Sequence, residues 1–186
     1  MIRRPLALFT AAFAIAAPIT ASAQSFGPSV DFSVGVFAGA GGTFVDRGGP
    51  AMEGVLALPV ARTSSGTVVA GVTGGVSGPL MMGDLICHVG PNDTCIPNFP
   101  TFVTAGAVVG MQRAVGTRLT ARALAGPAYF QAVDGDDTFG LQGRLDVARR
   151  LIPHTAIVAS VRGSFLPRFQ GQTVSYATFG IGLRIQ

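Results

Sequence analysis

Six charged residues are suited to chemistry that sets opposite charges face to face: Asp31, Glu53, Arg122, Arg144, Asp146 and Arg162. Arg144 and Asp146 stand two apart, so on an extended backbone they project to the same side. A planar guanidinium meets a carboxylate through paired hydrogen bonds, and such pairs either lock a buried polar core or line a path for ions or protons. Cys87 and Cys95 are the only cysteines, and the seven residues between them include Gly90-Pro91-Asn92-Asp93, a stretch able to double back. His88 is the only soft ligand beside them, and two cysteines with one histidine at this spacing match no recurring zinc pattern. No metal or cofactor is therefore expected there. Asp134-Gly135-Asp136-Asp137 lacks the ordered spacing and closing Glu of a calcium loop, and reads as a solvated hairpin turn around Gly135.

The elements that must position these residues show in a two-residue rhythm. From Thr138 to Arg149, Phe139, Leu141, Leu145 and Val147 share one parity while Gln142, Arg144 and Asp146 share the other. Val30, Phe32, Val34, Val36 and Ala38 likewise oppose Asp31, Ser33 and Gly35, and Phe179, Ile181, Leu183 and Ile185 oppose Tyr176, Thr178, Gly180, Gly182 and Arg184. Alternation of this kind makes strands with one apolar and one polar face. The chain is 48% hydrophobic and 12% charged, yet past the first two dozen residues no apolar run approaches the 18 or so residues that a spanning helix needs. A closed barrel in a membrane reconciles these facts, because only alternate residues face lipid. The 26 glycines fit a narrow barrel whose interior must be filled without crowding.

Residues 1–23 read as a secretory signal peptide: Arg3 and Arg4 supply the charged start, Leu6 to Ile19 the apolar middle, and Ala21-Ser22-Ala23 the small-residue cleavage site. The mature chain, 24–186, is a single domain. Its 11 arginines against nine acids leave a net charge of +2. With no lysine and no basic run interleaved with aromatics, nucleic acid is not expected as a partner.

Alternation and turn signals together predict eight strands, near 29–44, 51–62, 66–78, 101–113, 117–132, 138–149, 155–166 and 173–185. The links after the second, fourth and sixth are tight: Thr63-Ser64-Ser65, Ala114-Val115-Gly116, and a turn from Arg150 to His154. The others contain Asp46 to Pro50, the long Pro79 to Pro100 segment, Asp134 to Asp137, and Pro167 to Gly171. Short turns at one rim and longer loops at the other are expected of an even-stranded outer-membrane barrel with periplasmic termini.

In strand number and topology the chain resembles the small eight-stranded outer-membrane barrels of the family that includes outer-membrane proteins A and X. The resemblance covers nearly the whole mature chain. Thr178, Gly180, Ile181, Leu183 and Ile185 match the polar, glycine, then alternating-apolar ending that the outer-membrane assembly machinery reads in that family. Arg184, Ile185 and Gln186 stand where the family usually ends on an aromatic, and with no Trp and two Tyr any aromatic girdle must draw on the 13 Phe. The resemblance implies an all-β, eight-stranded antiparallel up-and-down transmembrane β-barrel in the bacterial outer membrane, with lipid around it.

With the polar parity inward, Asp31, Glu53, Arg122, Arg144, Asp146 and Arg162 lie in the lumen, and Arg118 and Arg184 lie near the periplasmic rim. Buried charges persist only when paired, so the six should form a network that plugs the lumen. An oxidising compartment favours a Cys87–Cys95 disulfide in the 79–100 loop, the element left to meet an extracellular partner. Three other readings compete with a structural or surface-interaction role. A gated pore would use the same arginines. A lipid A-modifying enzyme would draw on His154 with Thr155, or on His88 with Asp84 or Asp93. A soluble periplasmic lipid-binding barrel would turn the apolar parity inward and leave Arg122, Arg144 and Arg162 outside.

Overall fold

The β-branched and aromatic residues that alternate along this chain suit a pleated strand, since each packs on one face while its neighbour meets the other. In a computed structural model, which describes residues 26–41, 48–78, 86–88, 94–96, 101–133 and 135–186, they form ten strands. These are β1 (Ser29–Gly41), β2 (Gly48–Thr63), β3 (Gly66–Ser77), β4 (Ile86–His88), β5 (Thr94–Ile96), β6 (Phe102–Ala114), β7 (Leu119–Ala132), β8 (Asp137–Ile152), β9 (Thr155–Phe169) and β10 (Gln172–Ile185). Eight close into one antiparallel barrel, each pairing with its sequence neighbours and β10 pairing with β1. The short β4 and β5 pair only with each other, inside the segment that joins β3 to β6.

The seam runs from Val30 opposite Ile185 to Gly39 opposite Tyr176, so the last strand caps the first over nearly its whole length. Barrel strands of 12 to 16 residues, at about 3.3 Å per residue and a tilt of roughly 40°, are long enough for an apolar band about 25 Å tall. Their outward positions are apolar on every strand, including Phe32, Leu56, Val72, Val109, Leu119, Leu145, Val161 and Ile181. The polar parity points inward. The apolar parity therefore forms the outer surface, opposite to what a soluble barrel requires.

Two loop expectations are corrected. Gly48-Gly49-Pro50, expected in a loop, begin β2 and pair with Ala38, Phe37 and Val36. Pro50 contributes no N–H, but its carbonyl accepts the Gly78 N–H at 3.1 Å, so the strand still ties to its other neighbour. Pro167 was expected to open a longer link, yet β9 continues to Phe169 and the turn is only Gln170-Gly171. Both turn residues have positive φ, 50° and 73°, the requirement of a two-residue hairpin turn whose twist matches the strands. Pro167 is tolerated because the register shifts there: Leu166 pairs with Val174 and Phe169 with Gln172, leaving Pro167 outside the regular ladder. Smaller boundary differences occur at the short turns, where β6 reaches Ala114 and β8 reaches Ile152 before turning.

The two faces make different demands on a substitution. Leu141 is outward and exposed, whereas the adjacent Gln142 is inward and donates to Thr73 Oγ1 at 2.7 Å. Leu141→Arg should lower the unfolding free energy in detergent or lipid by about 2–4 kcal/mol, the cost of a guanidinium near mid-bilayer. Gln142→Ala should lower it by only about 1 kcal/mol. Urea titration of the two refolded variants measures both, and equal losses would contradict the assignment of faces.

Candidate functional site

Inside the ring the chain stacks an aromatic layer toward the long-loop end and a charged layer below it. Phe37, Phe102, Phe130, Phe169 and Tyr176 come from the long-loop ends of β1, β6, β7, β9 and β10, and all are buried. Phe102 stacks on Tyr176 with centroids 5.9 Å apart and meets Phe169 edge-on at 5.0 Å, while Phe37 and Phe130 approach Tyr176 edge-on. Ser77 donates to the tyrosine hydroxyl at 3.4 Å. Strict parity already points these rings inward: Phe37 continues the series Asp31, Ser33, Gly35. From the sequence, Phe is considered only as the source of any outer girdle and Tyr176 is placed on the inward parity, but this layer is not singled out.

The charged layer brings together Asp31, Glu53, Arg122, Arg144, Asp146 and Arg162, and adds Arg184. Arg184 was expected near the rim but is fully buried. Register sets the geometry: Asp31 stands opposite Arg184, Arg122 opposite Asp146, and Arg144 opposite Arg162. Arg122 bonds Asp146 through Nε at 2.8 Å and reaches across the lumen to Asp31 and Ser29. Arg184 forks onto Asp31 at 2.9 and 2.8 Å and touches Asp146 at 3.2 Å. Arg144 joins Asp146 at 2.7 Å to Glu53 at 2.5 Å, and Arg162 lies 3.0 Å from the other oxygen of Glu53. Each carboxylate thus serves at least two guanidiniums.

Neutral groups extend the layer, to β3 and β6 among others. Arg162 donates to Thr104 on β6, Gln142 to Thr73 on β3, and Arg184 to Thr120 on β7. All eight barrel strands therefore contribute a hydrogen-bonding side chain to the interior. Gly106 makes room for one of them, since a Cβ there would lie 2.3 Å from Gln142 Nε2 and 2.7 Å from the Pro127 carbonyl.

The other candidate residues stand apart from this layer. His154 sits in the exposed β8–β9 turn, with Nδ1 3.1 Å from the Gln186 carbonyl oxygen. Asp136 accepts from Gln170 of the β9–β10 turn and Asp137 from Tyr129 of β7, each at 2.5 Å, so both carboxylates are engaged by neighbouring side chains at the long-loop end. Arg118 is exposed at the β6–β7 turn. Cys87 and Cys95 are register partners in the β4–β5 ladder. Their side chains, those of His88, Asp84, Asp93 and Asp134, and residues 1–23 lie outside the described parts.

No protein-family model matches the chain, and no curated protein matches it. Among solved structures it is similar to Neisserial surface protein A (NspA), with a TM-score of 0.55 and 15% identity over 86% of this chain and 97% of that one. It also aligns with Ail, the attachment invasion locus protein of Yersinia pestis, solved with the heparin analogue sucrose octasulfate, at a TM-score of 0.47 and 13% identity over 86% and 100% of the two chains. The fold is that of a small transmembrane β-barrel. Its eight antiparallel strands in a ring match the architecture expected from the resemblance to outer-membrane proteins A and X.

Charges buried this deeply stabilise only as a set. Removing one partner leaves the others desolvated without compensation, a loss of about 3–5 kcal/mol. Arg122→Met leaves Asp31 and Asp146 leaning on Arg184 and Arg144 alone, and should reduce stability by that amount in a urea titration. Arg122→Lys, which keeps the charge but loses the fork, should recover only part. Native-like stability for Arg122→Met would show that the layer is energetically idle.

Proposed function

We propose that the protein is a non-catalytic barrel of the bacterial outer membrane with a structural or surface-interaction role. The observation that carries this reading is the pairing of the interior charges: each carboxylate from β1, β2 and β8 meets guanidiniums from β7, β8, β9 and β10 across the lumen. An eight-stranded barrel is just wide enough for side chains to fill. Closed by the aromatic layer above and the ion pairs below, the lumen acts as a plug that braces the wall. The similarity to a neisserial surface protein supports a place at the cell surface.

In this reading residues 1–23 direct export and are removed, and the mature barrel has periplasmic termini. The C-terminal strand, from Thr178 to Ile185, engages the assembly machinery, and the outer face rests in lipid. The segment 79–100 is the contact element for an extracellular partner, held by a Cys87–Cys95 disulfide. The backbone register of the two cysteines supports that bond, because directly opposed residues of an antiparallel pair have Cβ atoms about 4.5–5.5 Å apart, a short adjustment from bonding distance.

Fractionation combined with gel mobility tests the location. The protein should sediment with outer membranes and migrate differently before and after boiling, since a closed ladder resists detergent. Recovery as a free periplasmic monomer would refute the reading. Planar-bilayer recordings should show no stable channel, and a reproducible conductance that Arg144→Ala alters would replace the plug with a pore.

The loop makes a separate prediction. Native protein should contain no free thiol by mass spectrometry, and Cys87→Ser should keep the heat-dependent gel shift while speeding proteolysis between Pro79 and Pro100. Two free thiols would remove the disulfide from the proposal.

A further inference from the structure

The interior charges do not balance. Among the described residues the lumen holds four arginines, Arg122, Arg144, Arg162 and Arg184, against three acids, Asp31, Glu53 and Asp146, and every ion-paired side chain is at most 4% accessible. A guanidinium cannot shed its proton within a protein, so titration does not remove the extra positive charge. Water can occupy a leftover hydrogen-bonding site but does not neutralise a charge in a low-dielectric interior.

The position of the surplus can be read from the pairing. Near the seam, Arg122 and Arg184 are matched by Asp31 and Asp146. One level toward the loops, Arg144 and Arg162 share the single carboxylate of Glu53, with Arg144 leaning also on Asp146. Most of the unspent hydrogen-bonding capacity lies at or beside this level. Arg144 Nη2, Arg162 Nε and Nη2, Ser164 Oγ and Thr178 Oγ1 are buried without a hydrogen-bond partner in the protein, as are Ser33 Oγ, Gln112 Nε2 and Glu53 Oε1, the last in ion-pair range of Arg162. Arg162 stands directly opposite Arg144 on one side and Thr178 on the other, and Ser164 lies two residues along β9 on the same inward face.

We infer that the lumen binds one small monovalent inorganic anion of the halide class between Arg144 and Arg162, with the Ser164 and Thr178 hydroxyls as further donors. A single negative charge completes neutrality, whereas a divalent oxyanion would invert the imbalance. The layered side chains above and below favour a compact, spherical ion over a carboxylate-bearing molecule. The site goes beyond the structural role proposed above, which stands or falls on location and conductance whether or not an ion is bound.

The test uses the full mature barrel folded in detergent, with ionic strength held constant as sodium gluconate is exchanged for sodium chloride or bromide. The urea midpoint should rise saturably with either halide, as ligand linkage to the folded state requires, and remain low in gluconate. Arg162→Gln leaves three arginines against three acids and should abolish that rise. A second measurement does not depend on the folding of that variant and uses the native protein: crystals grown in bromide should show an anomalous peak in contact with Arg144 and Arg162. Equal midpoints in all three salts would overturn the site. So would halide dependence retained by Arg162→Gln, or bromide peaks confined to the outer surface.

Discussion

Hydrocarbon offers no partner to a free backbone N–H or C=O, and a sheet with an open edge leaves a row of them. The pairing of β10 with β1, from Val30–Ile185 to Gly39–Tyr176, removes that edge, and much of the remaining structure follows from it. A closed ring of eight tilted strands fixes the interior width, and that width sets what the inward residues must be. They must be large enough in sum to meet across the lumen, yet small at positions such as Gly106, where Gln142 crosses the space. Closure also divides the side chains by parity into a lipid surface and a core.

A core made under those conditions has an unusual constraint from the sequence side. If the inward positions were as apolar as the outward ones, strands of up to 16 residues joined by tight turns would approach the continuous hydrophobic length of a spanning helix. Polar residues on the inward parity interrupt every strand. Once inside a narrow barrel those residues are desolvated and must satisfy one another, so a polar core becomes an ion-paired core. Arginine suits that role because its fork addresses two carboxylates at once, as Arg122 does with Asp31 and Asp146. The aromatic layer has the opposite solution: Tyr176 and its neighbouring rings fill the loop end with apolar volume, and the Ser77 hydroxyl meets the phenol.

Much of this is written in local pattern. Strand number, inward parity and the shared level of Arg122 with Asp146 follow from counting residues out from the turns, because a two-residue period leaves little freedom once the turns are placed; the shared level of Asp31 with Arg184 follows from the need of the first and last strands to meet. Proline and glycine proved less transparent. Gly48-Gly49-Pro50 and Pro167 carry turn composition, yet the ring keeps them in strands, since Pro50 still offers its carbonyl and a register shift beside Pro167 absorbs the missing donor. The full membership of the core was hidden for another reason. Which side chains meet across the lumen depends on tilt and stagger, which no single strand encodes, so the burial of Arg184 and the convergence of five rings from five strands emerge only on closure.

The charges in turn protect the closure that buries them. Slipping any strand by one residue turns all its inward side chains toward lipid. For β8 that slip would expose Arg144 and Asp146 while carrying Leu141, Leu145 and Val147 into the lumen, and for β7, β9 or β10 it would expose Arg122, Arg162 or Arg184. Each arginine placed near mid-bilayer costs about 2–4 kcal/mol, and the abandoned carboxylates add a desolvation cost of their own. Apolar inward residues would impose no such penalty, because valine or leucine is accepted by lipid and core alike. On glycine-rich strands such as β3, which has few side chains to specify pairing, that protection comes from the neighbours it must fit between, β2 with Glu53 and β6 with Thr104. The ion pairs therefore contribute most where the ladder alone is indifferent: they distinguish the native register from its one-residue neighbours, in which the backbone hydrogen bonds would be equally complete.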